Sequence, residues 1–172
     1  MSCHFHAEQW LPYPVETVFA FFGNPDNLPR LMSPWQQARI ETSALQPPPG
    51  TTPRNLAGDA STMTLTFRPF PFSPIRLRWD ALIDGFAWNR QFCDTQTRGP
   101  FAFWHHCHRV SPAPNPSTNA PGSLLRDDVD FTLPLDPLSR VALPLVRLQI
   151  ASMFRFRQRR TLELLAEFTP GL

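Results

Sequence analysis

The stretch Phe92–Val110, FCDTQTRGPFAFWHHCHRV, decides how this chain folds. It holds a carboxylate, an amide, a Gly-Pro bend, an aromatic ridge and three histidines. Residue character alternates on both sides of Arg98-Gly99-Pro100, which predicts two strands joined by a tight turn. Phe92, Asp94 and Gln96 then share one face of the first strand. On the second strand Ala102, Trp104, His106, His108 and Val110 share a face, and Phe101, Phe103, His105, Cys107 and Arg109 take the other. A sheet face carrying Trp and two His is either the lining of a cavity or a polar wall inside a core.

The same period extends outward from this hairpin. Upstream, Met63, Leu65 and Phe67 alternate with Thr62, Thr64 and Thr66, and Ile75, Leu77, Trp79, Ala81 and Ile83 alternate with Arg76, Arg78 and Asp80. Both runs predict strands with one apolar and one wet face. His4–Leu11 reads as an opening strand and Gln36–Leu45 as a weaker one. Downstream, Leu125–Leu133 turns Leu125, Asp127, Val129, Phe131 and Leu133 inward, which makes Asp127 an anomaly on an apolar face.

Helical spacing occurs in two places. Val15, Val18, Phe19 and Phe22 follow Pro14 and stop at Gly23-Asn24-Pro25, and a further helical turn covers Asp26–Met32. From Val141 to Phe168 a stripe runs through Val146, Ile150, Met153, Arg157, Thr161, Leu164 and Phe168, with Pro144 near its start. Two loops rich in proline, Gln46–Asp59 and Ser111–Gly122, interrupt the strand pattern. The expected fold is α+β: a curved antiparallel sheet of about seven strands wrapped around a long C-terminal helix, with two short helices after the first strand.

Composition bounds the reading. A chain of 172 residues, 42% hydrophobic, suits a single domain with a sizeable core. Net charge is +2 and every basic residue is Arg, scattered except at Arg155, Arg157, Arg159 and Arg160, so nucleic-acid binding is not expected. Cys3, Cys93 and Cys107 are odd in number and irregularly spaced, which argues against a disulfide framework and for a cytoplasmic home. No basic-then-apolar leader and no membrane-spanning apolar run is visible, so stable membrane insertion is not expected.

These residues resemble the START-like superfamily, also called SRPBCC, polyketide cyclase/dehydrase or Bet v 1-like. The specific resemblance is to a bacterial branch marked by F-x-D-x-Q-x-x-G-P-[FY] leading to W-x-H-x-H, here Phe92, Asp94, Gln96, Gly99, Pro100 and Phe101, then Trp104, His106 and His108. VETVFAFFGNPDNLPRLMSPW after the first strand, DDVDFTLP from Asp127 and FRFR at Phe154–Arg157 agree with it, so the match runs from Val15 to Arg157. Phe131 stands where that branch usually has Tyr, which removes a hydroxyl from the site. The resemblance implies a helix-grip fold with a pocket between sheet and helix for a hydrophobic or aromatic small molecule, lipid or polyketide-like. It also implies a possible epimerase-like or redox partner protein, although the chain has no dinucleotide-binding Gly-rich segment of its own.

Candidate site residues follow from the faces. His106 and His108 project the same way, about 6.6 Å apart along the strand. With Asp94 or Asp127 they could chelate a metal; alternatively the imidazoles hydrogen-bond to Asp94, Gln96 and Asp127 in a buried network. The second reading is favoured, and neither a metal nor another cofactor is expected. Asp127 and Arg157 on inward faces predict an ion pair between last strand and long helix, either a clamp or an anchor for a ligand oxygen. Asp94 and Gln96 either brace the Gly99-Pro100 bend or touch ligand, and Met63, Phe67, Trp79 and Trp104 line the cavity or fill ordinary core. Cys107 points away from His106 and His108, so no Cys-His nucleophile is expected. The expectation is a binding protein. The alternatives are a cyclase or dehydratase with His106, His108 or Asp127 as its acid-base group, and an interaction module with a filled interior.

Overall fold

The computed structural model describes residues 2–49, 55–135 and 139–168. Seven strands run β1 Cys3–Leu11, β2 Arg39–Ala44, β3 Thr62–Phe67, β4 Leu77–Ala87, β5 Gln91–Arg98, β6 Phe103–Pro112 and β7 Ser123–Thr132. Helices α1 Val15–Gly23 and α2 Leu28–Leu31 follow β1, and α3 Ser139–Glu167 closes the described chain. All seven strands form one antiparallel sheet in the order β1-β7-β6-β5-β4-β3-β2. Strands β1 and β2, neighbours in sequence, therefore lie at opposite edges, and α1 and α2 carry the chain between them.

Alternation sets the faces as expected. Leu125, Asp127, Val129 and Phe131 of β7 are buried, as are Trp104, His106, His108 and Val110 of β6. Residues between the inward ones make polar cross-strand contacts instead: Thr64 Oγ1 of β3 donates to Asp80 Oδ1 of β4 at 2.7 Å, and Arg126 of β7 pairs with Glu8 of β1 at 2.6 Å. Strand β2 is weak for a visible reason. It is an edge strand, mostly exposed, with a register shift between Ile40 and Thr42.

The predicted helix stripe needs one correction. The buried residues of α3 are Ile150, Phe154, Thr161, Leu164 and Leu165, with Met153 and Arg157 only half-buried. Phe154, four residues after Ile150, is the aromatic anchor in place of Met153. Pro144 lies within the second turn of α3, a part where Val141, Leu145 and Leu148 are exposed.

The interior divides into two apolar clusters. One gathers Val18, Phe19, Phe21 and Phe22 of α1 with Phe92, Leu125, Leu164 and Leu165. The other gathers Trp104, Val129, Phe131, Ile150 and Phe154, with Phe5, Trp79 and Phe101 packed against it. Burying side chains of this size stabilises by about 1.5–3 kcal/mol each, which is why α1 and α3 both lie on the sheet's inner face.

The first proline-rich loop is not a free flap where it is described. Leu56 and Ala57 are buried in the first cluster, Ala57 N–H donates to the Gly23 carbonyl at 3.0 Å, and a Cβ on Gly23 would lie 2.5 Å from Leu56. Residues 50–54 of that loop lie outside the described residues. The second loop is shorter than expected, since Ser111 and Pro112 belong to β6.

Candidate functional site

A polar band separates the two apolar clusters, and strand register builds it. Asp94 of β5 stands opposite His106 of β6, and His108 of β6 stands opposite Asp127 of β7. Four titratable side chains from three adjacent strands thus converge on the inner face. His106 Nε2–H donates to Asp127 Oδ1 at 3.0 Å, while its Nδ1 lies 3.2 Å from Asp94 Oδ2. His108 Nδ1 is 2.7 Å from the same Asp127 oxygen but out of line for a hydrogen bond, and its Nε2 is 3.8 Å from Asp94. Both imidazoles and Asp127 are buried; the Asp94 side chain keeps 21% of its surface exposed.

Aromatic rings wall the band on either side. Phe92 and Phe22 lie 4.7 and 5.8 Å from the His108 ring, and Phe154 and Trp104 lie 5.6 and 6.3 Å from the His106 ring. Arg157 extends from α3 so that its guanidinium sits over Phe22 at 5.1 Å and Phe154 at 5.7 Å from the ring centroids. The expected Asp127–Arg157 ion pair is therefore a long-range one. Among the described residues no hydrogen bond or close ion pair ties Arg157 to a carboxylate; the imidazoles occupy Asp127 instead.

Charge is apportioned within the band. Burial opposes ionising Asp127, but the Arg157 charge and the two histidines outweigh it and hold its pKa well below the carboxylate range. Asp94 is lowered likewise against burial, by His106 first and then by His108 and Arg157. Burial also opposes a charge on His106, yet Asp94 and Asp127 together raise its pKa. Burial, the neighbouring His106 charge and Arg157 push His108 down to about 4. The two carboxylates thus favour the charged form of His106, while burial, His106 and Arg157 favour the neutral form of His108. The chemical result is a pair of neighbouring imidazoles with opposite proton preferences, set among aromatic rings.

The other predicted residues divide. Trp104 belongs to the site, and its indole N–H is buried without a partner. Trp79 packs edge-on to Trp104 at 5.1 Å and Phe67 lies 6.3 Å from Trp79, forming a more distant wall. Met63 on β3 is half-buried opposite Ala81, away from the quartet in the sheet order. Gln96 does not join the histidines. Its Nε2 donates to the Phe101 carbonyl at 2.8 Å and its Oε1 accepts from Phe101 N–H at 3.3 Å, so it braces the bend. A Cβ on Gly99 would stand 2.3 Å from Gln96 Oε1, so a larger residue there would have to displace this brace. Phe22 and Phe154 were read from the sequence only as core or motif residues; nothing in their spacing marks them as neighbours of histidine.

Asp94, His106 and His108 bring ligand atoms within 4.8 Å of one another, a spacing a metal ion could use. Both nitrogens of His106 already face carboxylates, so an ion there would have to displace its proton. A separate open groove of about 580 Å³, lined by Tyr13, Val15, Glu16, Asn89, Pro112 and Gly122, shares no residue with the band.

The cysteines correct the sequence reading. Cys93 and Cys107 stand opposite each other on the outer face of β5 and β6 and form a disulfide, while Cys3 is free and buried. Irregular spacing concealed this, since cross-strand pairing depends on register and not on separation in sequence.

Among solved structures the chain is similar to Ara h 8.0201, a Bet v 1-family protein, at TM-score 0.59 and 15% identity over 95% of this chain and 99% of that one. The chain has the helix-grip fold. Two bacterial structures match the same helix-grip architecture: CV1439 from Chromobacterium violaceum, TM-score 0.66 and 12% identity over 94% of this chain and 96% of that one, and TTHA0849 from Thermus thermophilus, TM-score 0.57 and 14% identity over 94% and 99%. No family model and no curated protein sequence matches the chain. No helix among the described residues is long and apolar enough to cross a membrane.

Proposed function

We propose that this chain is a single helix-grip domain that binds an apolar or aromatic small molecule, lipid or polyketide-like, carrying at least one hydrogen-bond acceptor. The observation that carries this reading is a pair of buried donors without hydrogen-bond partners among the described residues, Trp104 Nε1 and Arg157 Nε. An unpaired buried donor costs about 1–3 kcal/mol, so a ligand oxygen that accepts from one of them recovers that cost on binding. Aromatic walls supply the apolar contact, and a few convergent polar groups select the ligand. The cytoplasm is the compartment this reading assigns, with the Cys93–Cys107 disulfide standing as an exception to the reduced thiols usual there.

The charge split between the histidines favours one second reading, a cyclase or dehydratase. Neutral His108 would take a proton from carbon or water while His106 or Arg157 steadies the developing oxyanion.

Native mass spectrometry of the purified protein, followed by extraction under denaturing conditions, tests binding directly. An apolar molecule at one per chain, held more weakly in Trp104→Phe, is expected. A chain that arrives empty and also fails to take up 1-anilinonaphthalene-8-sulfonate would sink the binding reading in favour of a filled interaction module.

A further inference from the structure

The outer face of the sheet carries a second cluster, back to back with the histidine band. Cys93, Cys107 and His105 place their ligand atoms within 4.8 Å of one another. They come from directly paired positions, Cys93 opposite Cys107 on β5 and β6, with His105 two residues from Cys107 on the same face. Asp84 of β4, opposite Cys93, adds a carboxylate on that face. His105 Nε2 lies 3.7 Å from Cys107 Sγ and 3.5 Å from Asp84 Oδ1. Thr95 Oγ1 donates to the other Asp84 oxygen at 2.7 Å, which fixes the carboxylate in orientation.

We propose that this group is a redox-gated site for zinc: closed as a disulfide, and in the reduced chain a tetrahedral site of Cys93, Cys107, His105 and Asp84. The spacing supports it. Tetrahedral zinc with bonds of about 2.0–2.3 Å sets its ligand atoms about 3.3–3.8 Å apart. Two of those edges, sulfur to imidazole and imidazole to carboxylate, already have that length, and once unbonded the sulfurs can part to the same separation. Asp84 with its Thr95 partner reproduces the outer-sphere support that metal-bound ligands characteristically have.

The reducing step needs a dithiol reductant. One of its thiolates attacks a protein sulfur and forms a mixed disulfide, releasing the other protein sulfur as thiolate; its second thiol then closes its own disulfide and frees the first. Two electrons pass to the protein, the dithiol is oxidised, and zinc takes the place of the two protons the cysteines would otherwise carry. A cytoplasmic reductant would open the site and an oxidant would expel the ion.

Cobalt(II) reports this directly, because thiolate ligands give a charge-transfer band that histidine and carboxylate do not. The full chain, reduced with a phosphine under argon, is titrated with Co²⁺ and then with Zn²⁺ as competitor. The expected result is one Co²⁺ per chain with that band and intense tetrahedral visible absorption, displaced by zinc and absent from the oxidised protein. His105→Ala and Asp84→Asn, both at half-exposed positions, are expected to keep the fold and weaken Co²⁺ binding by at least about tenfold. Replacing His4 and His6 with Ala should change nothing, which separates this site from the exposed His4–His6–Asp128 group. Absence of the charge-transfer band in the reduced chain overturns the proposal, as does unchanged affinity in both His105→Ala and Asp84→Asn.

Discussion

The ring centroids of His106 and His108 lie 4.0 Å apart, and their proton affinities are pushed in opposite directions. They share one oxygen of Asp127, but only His106 reaches a second carboxylate at close range. Two imidazolium charges at this separation are unfavourable, so the better-served ring keeps the proton and drives its neighbour neutral. Neighbouring groups whose affinities for protons are forced apart are the raw material of acid-base chemistry.

That asymmetry shapes acid stability. His108 in the folded chain titrates at about 4, below the 6.5 of a free imidazole. Between those values the unfolded chain binds a proton that the folded chain refuses, so this contribution is complete above pH 6.5 and drains away as pH falls to 4. The size is of order 3 kcal/mol. His106 acts in the opposite sense: its raised pKa supports the fold below 6.5 and that support is lost as pH rises through the folded value. Denaturant titrations of wild type and His108→Gln across the acid window should show a steep loss in the first and a flatter curve in the second. Parallel curves would show that His108 is not held neutral.

Asp127→Asn removes one of the two charges that balance His106 and Arg157. The change should destabilise by about 3–5 kcal/mol, the range for breaking a buried charge pair on one side. It should also lower the His106 pKa. An NMR titration of the His106 ring checks this independently of stability, and an unmoved His106 would mean that Asp94 alone sets its charge.

Trp104→Phe separates structure from binding. The indole N–H makes no hydrogen bond, so its removal should leave stability without ligand within about 1 kcal/mol. Ligand affinity should fall by about tenfold, the equivalent of one hydrogen bond. Thermal melts with and without the extracted molecule read both numbers. A large stability loss in the empty protein would mark Trp104 as plain core.

Gly99→Ala tests the bend. A methyl group there collides with Gln96 Oε1, and a cost of about 1–3 kcal/mol is expected. Gln96→Ala removes the obstacle together with the brace on Phe101, so the double variant should be more stable than the sum of the singles implies. Strict additivity in chemical denaturation would place the strain elsewhere.

Much of this was legible from alternation. The faces of β5, β6 and β7 follow from a period of two, and with them the inward positions of Asp94, His106, His108 and Asp127. Register was not legible, and register decides the chemistry: it set Asp94 against His106, gave Asp127 to the imidazoles in place of Arg157, and brought Cys93 onto Cys107. On α3 one member of the stripe changes, because Met153 and Phe154 both fit a helical period and only the packing of Phe154 against Phe5 and His106 chooses between them. Gln96 shows the same limit in a turn. A single amide can brace a bend or face a ligand, and the return of the chain at Phe101 settled which.

The pairing of β1 with β7 puts Cys3 opposite Phe131, nearly the full length of the sheet-forming chain apart. During synthesis β1 emerges first and has no hydrogen-bonded partner until β7 follows, while Phe19, Phe21 and Phe22 of α1 wait for the same sheet to cover them. A topology whose first and last strands must meet folds slowly for its size and leaves its nascent form open to aggregation. Truncation before Ser123 leaves both β1 and β6 with bare edges.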